Sequence, residues 1–148
     1  MAKSKYTENI HQAAAVRALK HAEGDGLPIR VAGDQNAGKR GAQASAVAKL
    51  TGLANGEPDL RVYLPQGRIL LFELKTEHGR LSKDQIIAHD QLAALGHPVM
   101  VVKREEPLDT ALDICRRVAG DLGIEELSNL EKCAEKATNE LLTALGRI

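Results

Sequence analysis

Residues 56–85 read GEPDLRVYLPQGRILLFELKTEHGRLSKDQ, and their pattern sets the architecture. Two apolar runs, Leu60–Leu64 and Ile69–Lys75, flank Pro65-Gln66-Gly67-Arg68. Short apolar runs around a Pro/Gly turn predict a β-hairpin. The second run is apolar on both faces as far as Phe72, the mark of a central strand. Ser82-Lys83-Asp84-Gln85 has a capping-box pattern and opens a helix to about Leu95, with Gly96 at C′ and His97-Pro98 ending it. Val99–Lys103 is a further strand. Strand, helix and strand in that order make a right-handed crossover, with Ile69–Lys75 parallel to Val99–Lys103.

Upstream, residues 7–23 have helical periodicity, with Ile10, Ala14 and Ala18 on one stripe and Thr7 as N-cap. Gly24-Asp25-Gly26 stops that helix, and Leu27–Ala32 reads as a short strand with Pro28 at its start. A polar stretch, Gly33–Gly41, leads into an Ala-rich helix at 42–50 and a loop at 51–56. Downstream of Glu105-Glu106-Pro107, residues 108–120 and 123–145 are helical in pattern. The expected class is α/β: a core over 1–104 with a small mixed sheet flanked by helices, and an acidic helical extension over 105–148. That extension would pack on the core or on a second subunit.

The chemistry concentrates at the ends of the hairpin. Pro58-Asp59 precedes the first strand, and Glu73-Leu74-Lys75 closes the second. At strand period, Glu73 and Lys75 point to the same side. A charged pair at the end of a central strand is costly unless compensated, and a divalent cation provides that compensation. Asp59 and Glu73 can supply carboxylate oxygens and the Leu74 carbonyl a third ligand. Lys75 can hold the attacking water and offset charge at phosphorus. A turn centred between Gln66 and Gly67, however, sets Asp59 opposite Leu74, the wrong face by one residue. Convergence therefore requires an odd-length loop, a bulge, or Asp59 leaving the ladder at Pro58.

Composition bounds the partners. The chain has 148 residues, 43% hydrophobic and 27% charged, which suits one globular domain and excludes a disordered or fibrous protein. Its longest apolar runs are far too short for a membrane span, and no apolar signal segment follows the basic N-terminus. Cys115 and Cys133 have no His at ligand spacing, so a reducing, cytoplasmic setting is expected. Lys and Arg number 20 and Asp and Glu number 20, a balance that by itself argues against nucleic acid. Along the chain the balance splits: residues 1–104 hold 15 basic and 10 acidic residues, and residues 105–148 hold 5 and 10. A basic core suits phosphates.

Taken together, Gly56-x-Pro58-Asp59-Leu60, Glu73-Leu74-Lys75, Gly79-Arg80-Leu81-Ser82 with Gln85, and Gly96-x-Pro98-Val99 resemble the VRR-NUC family. These virus-type replication–repair nucleases fall within the PD-(D/E)XK (restriction-endonuclease-like) superfamily. Asn36-x-Gly38-Lys39-Arg40 resembles the family's upstream loop, and the resemblance covers about residues 7–104. It implies Mg²⁺- or Mn²⁺-dependent phosphodiester hydrolysis on DNA. Asp59, Glu73 and Glu8, the acidic residue of the first helix, would be metal ligands with the Leu74 carbonyl, Lys75 the catalytic lysine, and Gln85 a neighbour of the metal. Stand-alone members of this size resemble Holliday-junction resolvases, which work as homodimers on branched DNA in bacterial or phage-infected cells.

Simpler roles exist for several of these residues. Glu8 in a first helical turn is favoured by the helix dipole, and Gln85 is also the capping partner of Ser82. Lys39, Arg40, Arg80 and Lys83 are expected to contact phosphate rather than be merely solvated. His11, His21, His89 and His97 lack ligand spacing and read as structural or surface residues. The rival from another class is a nucleotide-binding phosphate loop over Gly33–Lys39, which has Arg40 where a hydroxyl should ligate Mg²⁺. A non-catalytic DNA-binding domain is a third reading, disfavoured because Asp59, Glu73 and Lys75 are all present.

Overall fold

The hairpin closes on an odd-length loop. Leu64 N–H donates to the Arg68 carbonyl at 2.9 Å, and the tip is turned by Gln66 (φ 64°) and Gly67 (φ 72°). Strand β2 (Leu60–Tyr63) pairs antiparallel with β3 (Ile69–Thr76), Leu60 facing Phe72 and Tyr63 facing Ile69. The register expected of a turn between Gln66 and Gly67 is therefore corrected by one residue. Continued past Leu60, the ladder puts Asp59 beside Glu73, not Leu74.

The computed structural model describes residues 3–33 and 42–148. Its other elements are α1 (Glu8–Gly24), β1 (Arg30–Gly33), α2 (Ala42–Leu50), α3 (Lys83–Ala94), β4 (Val99–Arg104), α4 (Pro107–Leu122) and α5 (Ser128–Ala144). The sheet order is β1-β2-β3-β4, with β1 antiparallel to β2 and β4 parallel to β3. The expected crossover is thus present, and Ser82 and Gln85 form both bonds of the capping box that starts its helix.

Alternation divides the sheet. Val31, Leu60, Val62, Phe72, Leu74 and Val102 turn to one face, where they meet Ala14, Ala15, Ala18 and Leu19 of α1 and Ile114 and Val118 of α4. The alanines of α1 leave short side chains at the contact, which lets the helices pack closely. Ala134 and Ala137 bring α5 into the same core. Both C-terminal helices therefore pack in cis against α1. His11 is fully buried in α1, with Nδ1 2.7 Å from Thr110 Oγ1 on α4. Glu73 and Lys75 alternate onto the other face of the sheet.

Two boundaries differ from the sequence reading by more than two residues. β1 begins at Arg30 rather than Leu27, after Pro28, and Val31 N–H is tied to Glu23 Oε1 at 3.2 Å. α5 begins at Ser128 rather than 123, because Gly123 takes a left-handed φ of 73° and caps α4. Ile124 and Leu127 still pack on the core without being helical.

Gly56 locks the loop before Asp59 onto α3. Its φ is +81°, and a Cβ there would land on the Asp84 carbonyl oxygen. Both the left-handed backbone and the close approach demand glycine. Gly56→Ala is expected to cost about 2 kcal/mol of stability. Urea unfolding of the two proteins would check this, and an unchanged midpoint would refute it.

Candidate active site

Asp59 is held from two directions. Its Oδ2 accepts the Leu74 N–H at 2.8 Å, and its own carbonyl accepts from Gln12 Nε2 at 3.2 Å. The first bond needs the odd-length loop, because only that register brings the carboxylate to the β3 backbone next to Glu73.

The Glu73 side chain is 1% exposed. Two side chains of α3, one turn apart, reach its two oxygens: Gln85 Nε2 donates to Oε2 at 3.2 Å, and His89 Nε2 lies 3.4 Å from Oε1. Gln85 also accepts the Ser82 N–H through Oε1 at 2.9 Å. One amide thus serves both the helix cap and the carboxylate, and the two roles weighed for it in the sequence are compatible. Burial pushes the Glu73 carboxyl up to about 9; Asp59 beside it adds to the rise, Lys75 offsets part of it, and Glu8 adds a little. An acid buried against a second acid holds its proton.

Lys75 is also buried, its side chain 8% exposed, with Nζ 3.5 Å from Glu8 Oε1. Glu8 sits in the first turn of α1, half exposed, so the first helix does deliver an acid to this site. That acid pairs with Lys75. Glu8, Asp59, Asp84 and Gln85 line a cleft of about 280 Å³ that opens on the loop at Asn55–Glu57. A larger cavity, about 770 Å³, lies at the opposite end of α1 between His21, Asp25 and Cys133. It shares no residue with the carboxylate cluster.

The structure thus gathers Asp59, Glu73, Lys75, Glu8 and Gln85. Arg80 and Lys83 are exposed on either side of the α3 N-cap, and neither makes an ion pair among the described residues. Lys39, Arg40 and most of the Gly33–Lys39 phosphate-loop pattern lie outside the described residues. His78 pairs with the adjacent Glu77 at 2.7 Å. His89, read from the sequence as structural or surface, instead touches Glu73. The signal that finds it is its position four residues after Gln85, on one helix face.

Among the described residues, no three His, Cys, Asp or Glu side chains converge as a ready-made metal cage. Two carboxylates do converge, both hard oxygen donors, and one is driven to protonation by burial and by its neighbour. That donor set fits a hard divalent cation, which would relieve the same repulsion and needs few protein ligands. Asp59, Glu73 and the Leu74 carbonyl are the groups available to hold it.

A Pro-Asp before one strand, a Glu-x-Lys closing the next, and a helix returning a glutamine to that glutamate define a nuclease core of the PD-(D/E)XK type. The VRR-NUC domain profile matches residues 8–105, and the chain belongs to the VRR-NUC family of nucleases. A solved structure described as a VRR_NUC domain is 24% identical, covers 68% of this chain and 96% of that one, and superposes with a TM-score of 0.40. No curated protein matches the chain. Nucleases of this superfamily generally use divalent metals. No helix among the described residues is long and apolar enough to cross a membrane.

The Glu73 shift has a direct consequence for the metal-free protein. A carboxyl raised from 4.5 to about 9 binds its proton more tightly in the folded state. Glu73 therefore lowers stability progressively as pH rises across that window. In EDTA, Glu73→Gln is expected to melt within a degree or so of wild type near pH 4.5 and at least about 2 °C higher at pH 8. Differential scanning fluorimetry across pH reads this, and a pH-independent difference would refute it.

Proposed function

We propose that this nuclease is a Mg²⁺- or Mn²⁺-dependent endodeoxyribonuclease, selective for branched DNA of the Holliday-junction type. On this reading it works as a homodimer in a reducing, cytoplasmic setting. The observation that carries the catalytic part is the pairing of the buried, acid-held Lys75 with the Asp59–Glu73 carboxylate pair in the same site. An ammonium is costly to bury and is kept where its charge is used.

A divalent cation held by Asp59, Glu73 and the Leu74 carbonyl would supply Lewis-acid stabilisation of the charge developing on the scissile phosphate. Lys75 donates hydrogen bonds to the attacking water and offsets negative charge in the transition state. Glu8 keeps the ammonium oriented and completes the acidic rim of the cleft. Gln85 and His89 hold the plane of the Glu73 carboxylate. Arg80 and Lys83, with Lys39 and Arg40, supply the positive charge that attracts the backbone. The branched substrate and the homodimer rest on the family resemblance rather than on site geometry.

The test is cleavage of a labelled four-way junction, a flap and a linear duplex, in Mg²⁺, Mn²⁺ or EDTA. Wild type should cut with either ion, prefer the junction, and be inert in EDTA. Asp59→Ala and Lys75→Ala should each lose at least about 100-fold in rate while remaining folded by circular dichroism. Cutting in EDTA, or variants as active as wild type, would refute the catalytic assignment; equal cutting of all three substrates would refute the junction preference.

A further inference from the structure

The register of β1 and β2 puts a second set of groups on the same side of the sheet as the carboxylates. Leu60 and Val62 are buried in the core, so Arg61 and Tyr63 alternate onto the other face. Arg61 faces Leu71 across the ladder, and the next β3 residue on that face is Glu73. A diagonal neighbour of this kind lies about 7–8 Å away. On the other side, Arg30 of β1 faces Tyr63, and Val31, its core-facing neighbour, confirms which face it takes.

None of the three side chains is committed elsewhere among the described residues. Arg30 is exposed and makes no ion pair there. Arg61 is half-buried, and its Nε is fully buried with no hydrogen-bond partner among the described residues. A buried donor without a partner is a desolvation cost in the free protein. Tyr63 is 41% exposed and is the one tyrosine on this face; Tyr6 is buried beside His11. Two free guanidinium groups with an exposed phenol between them match the chemistry of a nucleic-acid strand, an anionic backbone carrying flat bases.

We propose that the outward face of β1 and β2 is a nucleic-acid track. Arg61 binds a backbone phosphate next to the scissile one, Arg30 binds one farther along the strand, and Tyr63 packs against a base or sugar between them. The inference rests on the DNA-cleaving reading and extends it, because it states on which side of the carboxylates the substrate strand runs. Guanidinium groups suit this role because their planar fork binds two phosphate oxygens at once.

The test measures binding of a fluorescein-labelled four-way junction and duplex in EDTA by anisotropy, over a range of salt concentrations. Arg61→Gln and Arg30→Gln should each weaken binding about 5–10-fold, and each should lower the slope of log affinity against log salt by about one. Tyr63→Ala should weaken binding without changing that slope. Arg61→Lys should recover the slope but only part of the affinity, which separates a phosphate contact from a folding defect. Arg117→Gln, which removes the same charge from α4 across the sheet, should change neither quantity.

Arg61→Gln and Arg30→Gln proteins with wild-type affinity and slope would overturn the track, as would an Arg117→Gln effect of equal size. If such variants bind normally while wild type still cleaves DNA, only the track fails. A wild-type protein that neither binds nor cleaves DNA overturns the track and the proposed function together.

Discussion

The hydrogen bond from Leu74 N–H to the Asp59 carboxylate, at 2.8 Å, is the constraint on which the site depends. It exists only because the Leu64–Arg68 loop is odd in length and sets Leu60 against Phe72. One residue of slip would turn the Asp59 side chain from the site toward the helical core. The same register decides that Leu60, Val62, Phe72 and Leu74 fill the core while Arg61, Glu73 and Lys75 do not. A single turn geometry thus separates the apolar half of the sheet from its chemical half.

Once Asp59 and Glu73 are brought together, the rest of the cluster reads as a response to buried charge. Glu73 is almost fully desolvated, so its charged form is disfavoured and its oxygens need donors. Gln85 and His89, one turn apart on α3, meet that need. Lys75 is buried too and finds Glu8. Gly56 lets the Asp59 loop lie against the Asp84 backbone, which fixes α3, and so Gln85, relative to Asp59. Two acids side by side, one of them buried, disfavour each other's charge, and a bound divalent cation would relieve that repulsion.

Much of this was legible in the sequence because it is local. Thr7 caps α1, Ser82 and Gln85 form the capping box, and the alternating and continuous apolar runs give β2 and β3 their places. The motif set around Asp59, Glu73 and Lys75 pointed to the family before any geometry. What was not legible depends on non-local facts. The hairpin register turned on whether Gln66 would adopt a positive φ, a choice that a Pro-Gln-Gly-Arg turn leaves open. His89 looked idle because its partner lies on another element. Arg61 carries no motif of its own, and only the pairing of β2 with β3 places it diagonal to Glu73. The start of α5 was misjudged because Ile124 and Leu127 keep a helical spacing while packing from a loop.

The central claim is that Asp59 and Glu73 form one acidic pair whose buried proton a divalent cation displaces. Calorimetric titration with Mn²⁺ at pH 7, repeated in buffers of different ionisation enthalpy, measures that proton directly. The account predicts that binding by the wild-type protein releases protons, and that Glu73→Gln loses the release along with most of the affinity. Mn²⁺ binding without proton release, or binding of equal strength by Glu73→Gln, would contradict it.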